Sequence, residues 1–303
     1  MIGDFRRGRA TLPALFALLA AIALRAHVPA AVDKSLFVAV LDAAGKPVKG
    51  VTIADLLIRE DGQDREIIAV KPASQPISVV VLVDTAQGRR VTDAYGTPEE
   101  YTRDIRVAVA AFAKQLLSQS PDAAIMIMEF GGAAIPVVRF TTNPADLEKA
   151  VNRLVAKPGV GSVLMEAITA ANVELTARPT PRRAIVTLNL EPSDEQSRED
   201  KRIVESFKKS GAQLWSVSVQ RGNLRTSKRD VVINELARIT GGRRDFIVGI
   251  SALAAILKGY ADALAGQYEV VYKRPESNRP TQILQTGTLL QNVRLHASGF
   301  APR

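Results

Sequence analysis

Residues 77–84 read ISVVVLVD, a near-continuous apolar run that ends in Asp84. A run of this kind suits a central parallel strand covered on both faces, because a half-exposed strand would alternate. Related runs recur downstream at Ala123–Phe130 (AAIMIMEF), Ala184–Leu190 (AIVTLNL) and Gln213–Val219 (QLWSVSV). Helical patterns lie between them. Pro98 opens the first, with Glu99 and Glu100 in the turn where the helix dipole favours acids. Ile105, Val109, Phe112 and Leu116 share one face of it. Asn143-Pro144 starts another, with Leu147, Val151 and Leu154 on a face. Ser162–Ala177, a segment through Lys209, and Arg229–Thr240 follow. Ser251 is expected to cap a last helix running to Ala265. Ile135–Thr141 reads as a hairpin partner of the second strand, and its Pro136 suits a sheet edge. This alternation predicts an α/β fold, a doubly wound, mostly parallel sheet with helices on both faces.

Outward from this domain (77–266) the flanks read as β structure. Residues 33–73 form a small β-module, with a strand at Ser35–Asp42 and a hairpin turning at Asp61-Gly62. Ala73–Pro76 is a short linker. Residues 267–303 form a C-terminal β extension, with strands at Gln267–Tyr272 and Leu289–His296. Residues 1–30 read as a signal peptide. Arg6, Arg7 and Arg9 precede the apolar stretch Thr11–Leu24, and Val28 and Ala30 have small-residue cleavage spacing. Thr11–Leu24 falls short of the roughly 20 residues that span a bilayer. The expected location is therefore periplasmic or secreted, with membrane contact only through the signal peptide during export. An uncleaved anchor or a buried helix is the alternative.

The chain has 303 residues with 40 Lys+Arg, 31 Asp+Glu, 2 His and no Cys. Without cysteine there are no disulfides, thiolate metal sites or thiol nucleophiles. The leader holds four Arg and one Asp, so its removal lowers the net charge from +9 to about +6. It also removes His27 and leaves His296 alone. Few aromatics and modest basicity argue against nucleic acid. The loop after Asp84 (DTAQGRR) lacks the glycine patterns that cradle phosphates, and no Gly-x-Ser-x-Gly elbow occurs. The carboxylate pairs Glu99/Glu100 and Glu199/Asp200 sit at helix starts. The expectation is that the chain is not an enzyme.

The order of these segments resembles the bacterial VWFA-related proteins, secreted proteins built around a von Willebrand factor type A (VWA) domain. VTIADLLIREDGQDREI resembles the family's lead-in, ISVVVLVDT its first core strand, and RRAIVTLNL the strand that usually ends in Asp-Gly. ELARITGGRRDFI and QYEVVY resemble its closing units. The resemblance implies a metal-ion-dependent adhesion site, with Asp-x-Ser-x-Ser after the first strand, a Thr from a second loop and an Asp from a third. Such a site holds a hard cation such as Mg²⁺ through oxygen ligands, with one position left for an acidic partner residue.

This chain keeps Asp84 but has Ala86 and Gly88 at the two Ser positions. Ser162 stands in for Thr, and Leu190 falls at the third-loop Asp position. A register shift would supply only the neutral amide of Asn189. The expected site is vestigial, with no cofactor; the alternative is Mg²⁺ bound weakly through Asp84 and Ser162. Asp84 has two readings, a residual ligand or a cap on the following loop. Ser162 likewise reads as a ligand or as the N-cap of its helix. Trp215 reads as core. The basic residues Arg221, Arg225, Lys228, Arg229, Arg243 and Arg244 read as an anion-binding cluster or as a solvated loop. The function expected is an exported, non-enzymatic protein-interaction module (adhesion or scaffold). Its partner would be an unidentified protein in the cell envelope or outside the cell. The other alternative is a periplasmic small-molecule binder or hydrolase.

Overall fold

The computed structural model of the protein describes residues 31–87, 97–191, 202–220, 228–276 and 283–302. The signal-peptide reading, Gly88, the Glu199/Asp200 pair, Arg221, Arg225 and the side chain of Lys228 lie outside the described residues.

The chain enters through β1 (Ala31–Asp42), β2 (Leu56–Glu60), β3 (Gln63–Asp64) and β4 (Ile67–Pro72). It continues through β5 (Ile77–Val83), β6 (Ala86–Gln87), α1 (Pro98–Gln119), β7 (Ala124–Glu129) and β8 (Ile135–Thr141). Next come α2 (Pro144–Arg153), β9 (Lys157–Pro158), α3 (Leu164–Thr176), β10 (Arg182–Glu191) and α4 (Ile203–Ser210). The last elements are β11 (Gln213–Gln220), α5 (Lys228–Thr240), β12 (Arg243–Ile247), α6 (Leu253–Ala265), β13 (Tyr268–Pro275), β14 (Leu284–Thr288) and β15 (Val293–Ala297).

The six-stranded sheet runs β12-β11-β10-β5-β7-β8, parallel except for β8. The α/β class and the doubly wound sheet expected from the sequence are both present. Every residue of β5 is buried, and the alternation assigns its side chains to two cores. Val79, Val81 and Val83 pack with Phe112, Leu147 and Leu257, from α1, α2 and α6. Val80 and Leu82 pack with Ile168, Phe207 and Leu236, from α3, α4 and α5. Each such side chain contributes roughly 1.5–3 kcal/mol by burial. Trp215 is fully buried, edge-on to Tyr260 at a centroid distance of 5.3 Å.

Helix α1 starts as its sequence dictates. The Thr97 and Glu100 side chains close a capping box around Pro98. Ser251 differs from expectation. It lies in a short 3-10 turn, Ile250–Ala252, and α6 begins after Ala252 without a side-chain cap.

The N- and C-terminal β segments, read as separate from the sequence, share their sheets. One sheet runs β15-β1-β13-β4 and a second β14-β2-β3. The Asp61-Gly62 turn has positive φ at both residues, 48° and 81°, as a two-residue hairpin requires. Leu36, Val38, Leu56, Ile58, Val270 and Leu284 form the core between the two sheets. The opposite face of β1 sends Ala39 and Leu41 into the α/β core. The expected single strand Leu289–His296 is instead interrupted. Leu289 follows β14, donating its N–H to the Asp55 carbonyl at 2.9 Å, and Asn292 turns at φ 57° before β15 begins. Gln267 precedes its strand rather than starting it.

Candidate functional site

The strand order reverses between β5 and β10, which opens a crevice beyond their carboxyl ends. Asp84 stands there, only 1% exposed. Its Oδ1 accepts the Ala86 N–H at 3.1 Å, and its Oδ2 accepts the Leu190 N–H at 3.3 Å. The carboxylate therefore caps its own loop and ties it to β10.

Ser162 is fully buried and pairs in an isolated bridge with Gly131. The bridge places it two residues ahead of α3, whose cap position is Val163 and carries no side-chain bond. The N-cap expectation for Ser162 is corrected accordingly. Its Oγ instead accepts from Arg229 Nη1 at 3.3 Å.

Arg229 comes from the first turn of α5 and fills the crevice. Its Nη2 lies 3.8 Å from Asp84 Oδ2 and its Nε 3.4 Å from Glu191 Oε1. One guanidinium thus joins the ends of β5 and β10 to the loop before α3. Leu190, at the expected position of the family's third-loop carboxylate, sends its side chain into the α/β core and supplies only its N–H. The next residue, Glu191, points to the other face and brings the carboxylate. Neither Glu191 nor the role of Arg229 was read from the sequence; an acid one position beyond the expected one was the available signal.

Neighbouring contacts fix the loop. Thr85 Oγ1 donates to Glu129 Oε2 at 3.4 Å, and Lys157 Nζ pairs with Glu129 Oε1 at 2.6 Å. The Lys157 N–H donates to the Thr85 carbonyl at 2.7 Å. Gly131 permits this approach, since a Cβ there would stand 2.8 Å from the Ala86 nitrogen and 2.7 Å from Thr85 Oγ1. Tyr101 is buried against Asp84, and its hydroxyl has no hydrogen-bond partner among the described residues. Burial pushes that phenol up to about 12, with the Asp84 and Glu99 charges acting in the same direction.

Burial also pushes the Asp84 carboxyl up, to about 7. Arg229 and the two N–H donors pull it down, while Glu191 adds to the rise. Two carboxylates share one guanidinium here, so holding a proton on one of them relieves their repulsion.

The site as built does not fit a divalent cation. Mg²⁺ needs six oxygens at about 2.0–2.1 Å, and the Asp84, Glu191 and Ser162 oxygens already surround a guanidinium. Ala86 has no oxygen on its side chain to offer. Among the described residues no group of three or more His, Asp or Glu is placed to hold a metal.

The described arginines of the expected basic cluster are neither a solvated loop nor a free anion site. Arg229 is buried as above. Arg244 pairs with Asp230, and Arg243 pairs with Asp245 at 2.7 Å.

No protein-family model and no curated protein matches this sequence. Several solved structures are similar to it at low identity. A von Willebrand factor type A protein from Catenulispora acidiphila is 10% identical with a TM-score of 0.48, over 92% of this chain and 76% of its own. Proximal thread matrix protein 1 from the mussel byssus is 13% identical with a TM-score of 0.48; 65% of this chain spans 50% of that one. The PilB minor pilin from Streptococcus sanguinis is 12% identical with a TM-score of 0.48, over 64% of this chain and 62% of its own. The fold class stands on the sheet order and the two covered faces described above.

Proposed function

We propose that the chain is an exported, non-enzymatic protein-interaction module, VWA-like in fold, that acts in the cell envelope or outside the cell without a bound metal. One observation carries this reading. The strand-end crevice, where an α/β sheet binds its ligands, is filled by the Arg229 guanidinium between Asp84, Glu191 and Ser162. An internal cation of this kind cannot offer an open coordination position to a partner's acid. It also occupies the carboxylates that hydrolytic chemistry would use. The basic and apolar pattern of residues 6–24 supports export.

The test is capture by chemical cross-linking in the native cell envelope, with and without a divalent chelator. The reading expects the same specific protein partner in both. Recovery only when Mg²⁺ or Mn²⁺ is present would contradict it, as would the absence of any specific partner.

A further inference from the structure

A groove of about 590 Å³ lies at the opposite end of the sheet, where the α/β domain meets the β-unit. Five cationic side chains line it: Lys34, Arg182, Arg183, Lys208 and Lys209. It has two acids, Asp33 and Glu269, and Glu269 is already paired with Lys71 at 3.0 Å.

The two arginines are the informative members. Arg182 is 3% exposed and donates only to neutral oxygens, those of Gln267, Gln75 and Leu264. Arg183 donates to the carbonyls of Ser210 and Arg178, both at 2.6 Å, and its buried Nε has no hydrogen-bond partner among the described residues. Among the described residues neither arginine meets a carboxylate. Buried charges are ordinarily paired, because desolvation costs several kcal/mol per ion. Burial accordingly holds Arg182 down, to about 10. Lys34 and Lys209 stand at the groove without an ion-pair partner among the described residues, and Lys208 pairs with the exposed Glu205 at 2.7 Å.

We propose that this groove binds an acidic peptide segment of a protein partner, whose carboxylates meet Lys34 and Lys209 and lie over the uncompensated charge of Arg182 and Arg183 beneath them. A peptide fits better than a bare anion because Phe37, Pro181 and Phe300 also line the groove, offering apolar surface between the charges. The choice of a peptide rests on the reading of the chain as a protein-binding module; the positive groove does not.

The test uses the full chain and a labelled ten-residue peptide of alternating Glu and Leu, read by fluorescence anisotropy. A Gln/Leu peptide of the same length and inorganic phosphate are the comparison probes. The proposal expects saturable binding of the acidic peptide that weakens as salt rises. It also expects at least a tenfold loss in Lys34→Glu and Lys209→Glu, and no loss in Lys114→Glu on the exposed face of α1. Lys209 is exposed and Lys34 half-buried, and circular dichroism checks that both variants fold. Equal affinity for the Gln/Leu peptide, or equal losses in all three variants, would overturn the proposal. Binding of phosphate but not of the acidic peptide would overturn the choice of ligand while leaving the metal-free interaction reading to its own test.

Discussion

Arg229 and Asp84 face each other at 3.8 Å across the ends of α5 and β5, both almost fully buried. The same guanidinium reaches Glu191 at 3.4 Å, so two strands and a helix depend on one side chain. Removing one partner of a buried ion pair leaves an uncompensated charge and costs about 3–5 kcal/mol. Arg229→Ala should therefore lower stability by that order in urea unfolding. Arg229→Lys should recover only part of it, because an ammonium cannot spread donors over three acceptors. The double variant Asp84→Ala/Arg229→Ala should be less destabilised than the sum of the single ones. Simple additivity would mean that the pair is not coupled.

The raised Asp84 carboxyl implies a pH dependence whose sign follows from linkage. The folded state holds the proton up to about pH 7, whereas an unfolded aspartate releases it near about 3.9. Across that window the folded state binds more protons, so this group's contribution to stability falls as pH rises. His296 acts oppositely: burial lowers its pKa, so its contribution is lost as pH falls below its unfolded value. The clean measurement is thus the difference between the protein and Asp84→Asn. Thermal midpoints should show a component that declines from pH 5 to pH 8 in the protein and is absent in the variant. Identical slopes would place the Asp84 pKa at its ordinary value.

How far this site could be read from the sequence differs residue by residue. Strands β5, β7, β10 and β11 were legible because an unbroken apolar run has few alternatives once helices separate the runs. Asp84 was legible as the polar end of such a run. Glu191 was not, because a strand buried on both faces carries no alternation to show which way its last residues point. Arg229 read as one basic residue among several, since its burial depends on where α5 begins and on how that helix packs against the strand ends. Ser162 misled for a related reason. A Ser before a helix resembles an N-cap, but its bridge to Gly131 is a long-range contact.

The terminal β segments were legible as strands but not as one unit. Glu60 of β2 shows their dependence most directly. It is fully buried and accepts from Tyr272 at 2.6 Å and from Arg274 Nε at 2.8 Å, both on β13. A chain ending at residue 266 should therefore leave β1 and β4 without strand partners and β2 with only the two-residue β3. Amide exchange should show residues 31–72 unprotected in it. Retained protection would establish the N-terminal module as autonomous. In the full chain, Glu60→Ala should destabilise far more than Glu60→Gln, which keeps an acceptor for the Tyr272 hydroxyl.

Gly131 tests the packing of the crevice loop. Any Cβ there meets the backbone at Thr85 and Ala86 within 2.8 Å. Gly131→Ala should displace the loop that Asp84 caps and cost about 1–3 kcal/mol, the usual range for overpacking. Gly249→Ala, where the added Cβ meets only the Ser251 hydroxyl at 3.6 Å, is the matched control. Equal stability of the two variants would mean that the loop is looser than its contacts indicate.

The most direct measurement is calorimetric titration of the protein with Mn²⁺ and Mg²⁺ near neutral pH. With Arg229 in the cation position the heats should show no saturable site into the millimolar range, and Asp84→Ala should titrate identically. A micromolar site that disappears in Asp84→Ala would contradict the account, because Asp84 would then be holding a metal that the Arg229 guanidinium is claimed to replace.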